Sequence, residues 1–247
     1  MQRSHDFDTV AGWIAGADRL VTFSGAGLSK ASGIPTYRDT GGLWKQGNNL
    51  RYSSADALTN DPEGFRAFWT KRCEDVARAE PNAAHRAFAE LARLRPDVQH
   101  ITQNVDGLLD RAGCVCVREL HGSLARWRCD ACGVRALAAL APCPSCGQDT
   151  RPDVVMFGEM LDDANFAAAE LAAKRSQVCL VVGTTGVVQP AAGIVAKAAS
   201  RGARIVVVNV EASELDALAD AVLRGPAEAV VPALVEAVAA EGRPGPG

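Results

Sequence analysis

The chain has 247 residues, 48% of them apolar, and a net charge of −3. That supports one large domain, or a main domain with a small insertion. The mildly acidic balance excludes the basic surface that nucleic acid or an anionic membrane would need. No apolar run reaches bilayer length, and the first eight residues, with two acids, do not read as a secretory signal. Eight cysteines in a long, core-rich chain point to a reducing, cytoplasmic setting with a metal site rather than to a disulfide scaffold.

The first apolar run, Leu20–Ser24, reads as a buried strand and leads into Gly25-Ala26-Gly27. Closely spaced glycines after a strand bring bare amides near a ligand, which suits a pyrophosphate. Gly33 comes six residues after Gly27, however, so this is not the common dinucleotide fingerprint, and alone it is equally an ordinary tight turn. Residues 40–80 break the strand–helix rhythm with five Gly and Asn residues between 41 and 49, then a predicted helix over 61–79. A helix over 82–94, capped by Asn82, precedes a strand over 98–102 that ends in Gln103, Asn104, Val105 and Asp106. A strand over 116–120 ends in His121 and Gly122. His121 is the one histidine at a strand end, where an imidazole can take a proton from a hydroxyl. His5 reads as solvated, His85 as a surface or packing residue of its helix, and His100 as a satisfied core residue.

Cys129-Asp130-Ala131-Cys132 and Cys143-Pro144-Ser145-Cys146 place four thiolates for one tetrahedral zinc. Four cysteines leave no open coordination position, so the zinc is structural. Cys73, Cys114, Cys116 and Cys179 read as ordinary small buried residues. Helices over 162–173 and 191–200 alternate with strands Val178–Val182 and 204–208, whose continuous apolar runs suit a parallel sheet covered on both faces. Those strands end in Gly183-Thr184-Thr185 and Asn209-Val210-Glu211. The fold class expected is α/β, a Rossmann-like doubly wound parallel sheet with a small zinc-ribbon and helical module. The large domain takes 1–39, 81–125 and 152–240, the small module takes 40–80 and 126–151, and 241–247 form a disordered tail.

Taken together these motifs resemble the sirtuins, NAD-dependent protein lysine deacylases. The resemblance runs from about Leu20 to Ala233. It rests on Gly25–Ser29, Ser32–Arg38, Thr102–Gly107, His121-Gly122, the four cysteines, Arg151–Glu159, Gly183–Thr185, Val188–Ala192 and Asn209–Glu211. It implies an NAD cleft formed by Gly25, Ala26, Gly27, Pro35, Tyr37, Arg38, Trp44, Gln103, Asn104, Val105, Asp106, Gly183, Thr184, Thr185, Asn209, Val210, Glu211 and Ala227. It implies catalysis by His121 with Asn104, a substrate strand at Val154, Met156, Phe157 and Gly158 that pairs with an extended acyl-lysine peptide, and one structural Zn2+ on Cys129, Cys132, Cys143 and Cys146. In that chemistry the acyl oxygen displaces nicotinamide at the ribose, and His121 activates a ribose hydroxyl that then attacks the acyl carbon. The products are deacylated lysine, O-acyl-ADP-ribose and nicotinamide, so NAD is consumed. Trp69 and Arg72 stand where the desuccinylating branch carries Tyr-x-x-Arg; Arg72 can pair with an acyl carboxylate, whereas Trp69 lacks the phenol hydroxyl. Mono-ADP-ribosyl transfer and a non-catalytic NAD- or acyl-lysine-binding module stay open as alternatives. No nucleic-acid or membrane partner is expected, and the oligomeric state is not predicted.

Overall fold

The computed structural model describes residues 7–36, 51–136 and 142–241. Among them the helices are α1 Phe7–Gly16, α2 Ala57–Asn60, α3 Pro62–Arg78, α4 Ala83–Leu94, α5 Leu108–Arg111, α6 Asp163–Arg175, α7 Gly193–Ala199 and α8 Ala227–Glu241. The strands are β1 Leu20–Ser24, β2 Gln99–Thr102, β3 Val117–Glu119, β4 Gly122–Arg128, β5 Arg135–Ala136, β6 Arg151–Val154, β7 Val178–Val182, β8 Arg204–Asn209 and β9 Ala221–Arg224. Six strands form one parallel sheet in the order β3-β2-β1-β7-β8-β9. The order reverses between β1 and β7, and doubly wound sheets bind ligands at such a switch point, beyond the carboxyl ends of the strands.

β1 and β7 are buried along their whole length, which is why their sequences carry no polar alternation. The two hydroxyls of β1 are satisfied sideways: Thr22 Oγ1 lies 2.8 Å from His100 Nδ1, and Ser24 Oγ donates to Thr102 Oγ1 at 2.9 Å. One core joins α1, α4 and α8 to the sheet, and a second joins α6 and α7 to its other face. The predicted strands and helices are all present, with ends displaced by a few residues.

Three elements at the ends of the fold carry no expectation from sequence: α1, β9 and α8. α1 has ten residues, marginal as an isolated helix. Its last carbonyls, at Ile14 and Ala15, accept from the Arg95 guanidinium, which also reaches Ala17 O. That anchor is eighty residues away in sequence and invisible to local patterning. The expected tail from 241 is corrected by one residue, since Glu241 closes α8. Residues 242–247, His5, Tyr37, Arg38, Trp44 and the Gly- and Asn-rich stretch up to residue 50 lie outside the described residues.

A second, antiparallel sheet has the order β5-β4-β6. β4 starts at Gly122, four residues before the expected boundary at 126. Gly122 has φ +79°, and a Cβ there would sit 2.0 Å from Asp153 O. Only glycine lets β6 pack this closely at the point where the chain leaves the large sheet. A third core brings Tyr52, Phe65, Trp69 and Val76 against Leu124, Val154 and Met156, so the helical stretch after residue 50 packs on the β4–β6 side of the small sheet.

Candidate active site

The loops after β1 and β7 meet at the switch point. Gly25 N–H donates to Val182 O at 3.1 Å and Gly27 N–H to Gly183 O at 2.9 Å. A Cβ on Gly27 would stand 2.7 Å from Gly183 Cα, and one on Gly25 would stand 2.8 Å from Thr184 Cβ. The glycines are thus needed for loop-on-loop packing, with the Ala26–Ser32 3-10 turn opening beside it. Thr184 ties in the neighbouring strands: Gln103 Nε2 donates to its hydroxyl at 3.0 Å and Asn209 Nδ2 to its carbonyl at 2.9 Å. The polar ends of β1, β2, β7 and β8 therefore form one edge. Thr185, Val210 and Glu211 are exposed along it, Pro35 is exposed after the 3-10 turn, and Ala227 is buried at the start of α8.

Under this edge lies a buried polar network that extends beyond the predicted residues. Asn104 Nδ2 donates to Gly25 O and to Ser29 Oγ, both at 3.1 Å. The Ser29 hydroxyl donates to Asp106 Oδ2 at 2.7 Å. His85 Nδ1 accepts the Asn82 N–H at 3.2 Å, so its Nε2–H is the donor to Ser29 Oγ at 3.3 Å. Asn82 Nδ2 closes the set on Leu28 O at 2.8 Å. His85 is fully buried, so of the two readings for it the surface one is corrected and the packing one holds. Burial pushes its imidazole down to about 4 and holds the Asp106 carboxyl above its usual range. Ser29 is visible in sequence only as the last residue of the Gly25–Ser29 motif, with no role assigned, and His85 only as a helix residue. What recruits them is the approach of α4 to the β1 loop, which no local pattern announces.

His121 sits at the end of the segment after β3, with Nδ1 2.9 Å from the Gln103 carbonyl oxygen. A carbonyl only accepts, so Nδ1 carries the proton and Nε2 keeps a free lone pair. Burial lowers its pKa below 6.5, against the opposing pull of the Gln103 carbonyl. The ring is neutral at pH 7, as a general base must be. His100 is fully buried with Nε2 unpartnered, which corrects its reading as a satisfied core residue.

The predicted substrate-side residues are placed differently from one another. Val154 pairs with Gly122 inside the small sheet, and Met156 points into the third core. Phe157 and Gly158 are exposed. Trp69 is buried and donates its indole N–H to Tyr52 O at 2.9 Å. Arg72 is half-buried on the same helix, without an ion-pair partner among the described residues.

Cys129, Cys132, Cys143 and Cys146 have their sulfurs within 4.8 Å of one another, with pairs at 3.6 and 3.4 Å. A tetrahedral zinc with Zn–S bonds of about 2.3 Å sets sulfurs about 3.8 Å apart, so the quartet fits one structural zinc. Each half is a tight turn: Gly133 N–H donates to Cys129 O and Gly147 N–H to Cys143 O, both at 2.8 Å, at φ +76° and +72°. Backbone amides of Ser145 and Cys146 aimed at the Cys143 sulfur pull that thiol down, whereas Cys132 and Cys146 are pushed up, so the sulfurs titrate as one cluster. Cys116 is corrected: it is exposed, with φ +56°. No helix among the described residues is long and apolar enough to cross a membrane.

Residues 25–190 match the model of the Sir2 family. An NAD-dependent protein deacylase of Thermus thermophilus is 46% identical over 217 residues, covering 84% of this chain and 85% of that protein. The structure of a Sir2 homolog–NAD complex superimposes with a TM-score of 0.91 at 39% identity, over 98% of this chain and 97% of the other. A Sir2 protein bound to a myristoylated histone peptide matches with a TM-score of 0.77 at 31% identity, over 95% and 97% of the two chains. The parallel sheet, the four-cysteine cluster and these matches agree, and the chain belongs to the Sir2 family.

Proposed function

We propose that this protein is an NAD-dependent protein lysine deacylase that consumes NAD and releases deacylated lysine, O-acyl-ADP-ribose and nicotinamide. The observation that carries the reading is the His121 tautomer: Nδ1–H is spent on Gln103 O at 2.9 Å, which leaves Nε2 as a neutral base at the ligand edge. NAD would lie across the β1–β7 switch point, its pyrophosphate against the Gly25–Gly27 backbone and its adenine ribose near Asn209 and Glu211. Asn104, whose Nδ2 is held by Gly25 O and Ser29 Oγ, would offer its side-chain oxygen to the nicotinamide side. Gln103, Val105 and Asp106 complete that side, with Tyr37, Arg38 and Trp44 added from the sequence motif. An acyl-lysine peptide would lie along Phe157 and Gly158, and the thiol-rich composition goes with a cytoplasmic setting.

Acetyl-lysine is the substrate favoured over succinyl-lysine. The one polar group of Trp69 is bonded inside the core, so Arg72 alone remains to meet an acyl carboxylate. The test is NAD-dependent turnover of matched acetyl- and succinyl-lysine peptides, read by mass spectrometry. Acyl loss with O-acyl-ADP-ribose formation supports deacylation. A protein that instead gains ADP-ribose, or that binds NAD without turnover, refutes it.

A further inference from the structure

The exposed residues Phe157 and Gly158 hang between two anchors. On one side the Phe157 N–H donates to Ser53 O at 2.8 Å and the Ala55 N–H donates to Phe157 O at 3.2 Å, around a parallel bridge to Ser54. On the other side a chain of ion pairs runs in from the cysteine cluster. Asp130 lies between Cys129 and Cys132; its carboxylate accepts from Arg128 Nε at 2.8 Å and from Arg151 Nε at 2.6 Å. The Arg151 side chain is only 4% exposed. It spends Nη1 on Val154 O at 3.0 Å and Nη2 on Glu159 Oε1. Glu159 then turns back on the loop: its Oε2 accepts the Met156 N–H at 2.9 Å, and its own N–H donates to Met156 O at 3.0 Å. Arg128 Nη2 adds a longer contact, 3.5 Å from both Glu159 oxygens.

A guanidinium buried this deeply must keep all its partners, because a charge left alone in the interior is costly. Its fixed fork transmits direction as well as charge. Moving Asp130 therefore moves Arg151, and moving Arg151 releases Glu159 from the loop that carries Phe157. The contacts on the NAD side, Gly27 to Gly183, Gln103 to Thr184 and Asn209 to Thr184, include none of these residues.

We propose that Arg151 and Glu159 are positioning residues for the acyl-lysine peptide: anchored on Asp130 in the cysteine turn, they set the backbone of 156–158, so that the state of the metal cluster governs peptide affinity separately from NAD affinity. The inference rests on the deacylase reading above. A metal that draws the four sulfurs together fixes the Cys129–Cys132 turn and with it Asp130.

The test compares the zinc-loaded native protein with Glu159→Gln, Asp130→Asn and the double variant. Initial rates are measured against acetyl-lysine peptide and against NAD separately. Anisotropy of a labelled acetyl-lysine peptide and calorimetric NAD titration give the affinities. Glu159→Gln keeps an acceptor for Met156 N–H but loses the ion pair; it is expected to raise peptide KM and Kd about tenfold, with kcat and NAD Kd within about twofold. Asp130→Asn, at a half-exposed site, is expected to raise peptide KM about threefold with the zinc content intact, and the double variant to fall short of the product of the two. Removing zinc from the native protein is expected to weaken peptide binding more than NAD binding, and to do so less in Glu159→Gln. Unshifted peptide affinity in both single variants, parallel loss of NAD and peptide affinity, or fully additive effects each overturn the proposal. Should Glu159→Gln show no cooperative melt, Asp130→Asn decides alone. A native protein with no turnover on any acyl peptide overturns the functional reading and this inference with it; turnover with unchanged variants overturns this inference only.

Discussion

Replacing His121 by alanine tests the chemistry most directly. The Nδ1–H bond to Gln103 O at 2.9 Å holds the ring in one tautomer, and burial keeps it neutral above pH 6.5. A positioned general base contributes about 10²–10⁴ in rate, or about 3–5 kcal/mol of barrier at 1.36 kcal/mol per decade. His121→Ala is therefore expected to lose that factor in single-turnover formation of O-acetyl-ADP-ribose. Nicotinamide exchange into NAD, which precedes the proposed action of the base, should survive to a greater degree. The sign of the pH effect follows from the lowered pKa. The free base is present above the folded-state pKa, so the acid limb of kcat/KM should have its midpoint below 6.5. A loss smaller than about tenfold, or an acid limb centred above 6.5, would remove His121 as the base.

Gly27→Ala puts a methyl 2.7 Å from Gly183 Cα and 2.9 Å from its carbonyl oxygen; NAD Kd by calorimetry is expected to rise at least about tenfold, since the loops must part by the better part of an ångström. Ser29→Ala leaves the buried Asp106 carboxylate without its 2.7 Å hydroxyl donor and Asn104 without one acceptor. Chemical denaturation should report a loss of about 1–3 kcal/mol, and a loss below a few tenths would contradict the network. One zinc per chain is expected by metal analysis, and Cys129→Ala should release it and melt the small sheet first; a stable zinc-free variant would show the quartet to be dispensable. His100 has its pKa pushed down to about 4 in the fold by burial, so the unfolded chain binds the extra proton between pH 6.5 and about 4. Stability contributed at neutral pH is lost across that window, by about 3 kcal/mol in full, and a flatter acid-unfolding profile in His100→Asn would bear this out.

The sequence by itself determined the alternation of strands and helices and the polar ends of β1, β2, β7 and β8, because continuous apolar runs and capping residues are local signals. The four-cysteine cluster was legible for the same reason, since the two turns that carry its ligands each span four residues. The tertiary structure alone decided the rest. His85 and Ser29 enter the site because α4 lands on the β1 loop, fifty-six residues apart in sequence. Arg95 completes α1 from across the chain, and Gly122 serves as the joint between the two sheets because β6 happens to pass 2.0 Å from where a side chain would begin. Arg151 stands in sequence only as the first residue of the Arg151–Glu159 motif, with no local sign of burial. Only the packing of β6 beneath the cysteine turn buries it and gives it Asp130 and Glu159 as partners, since burial and ion pairing are properties of the assembled chain.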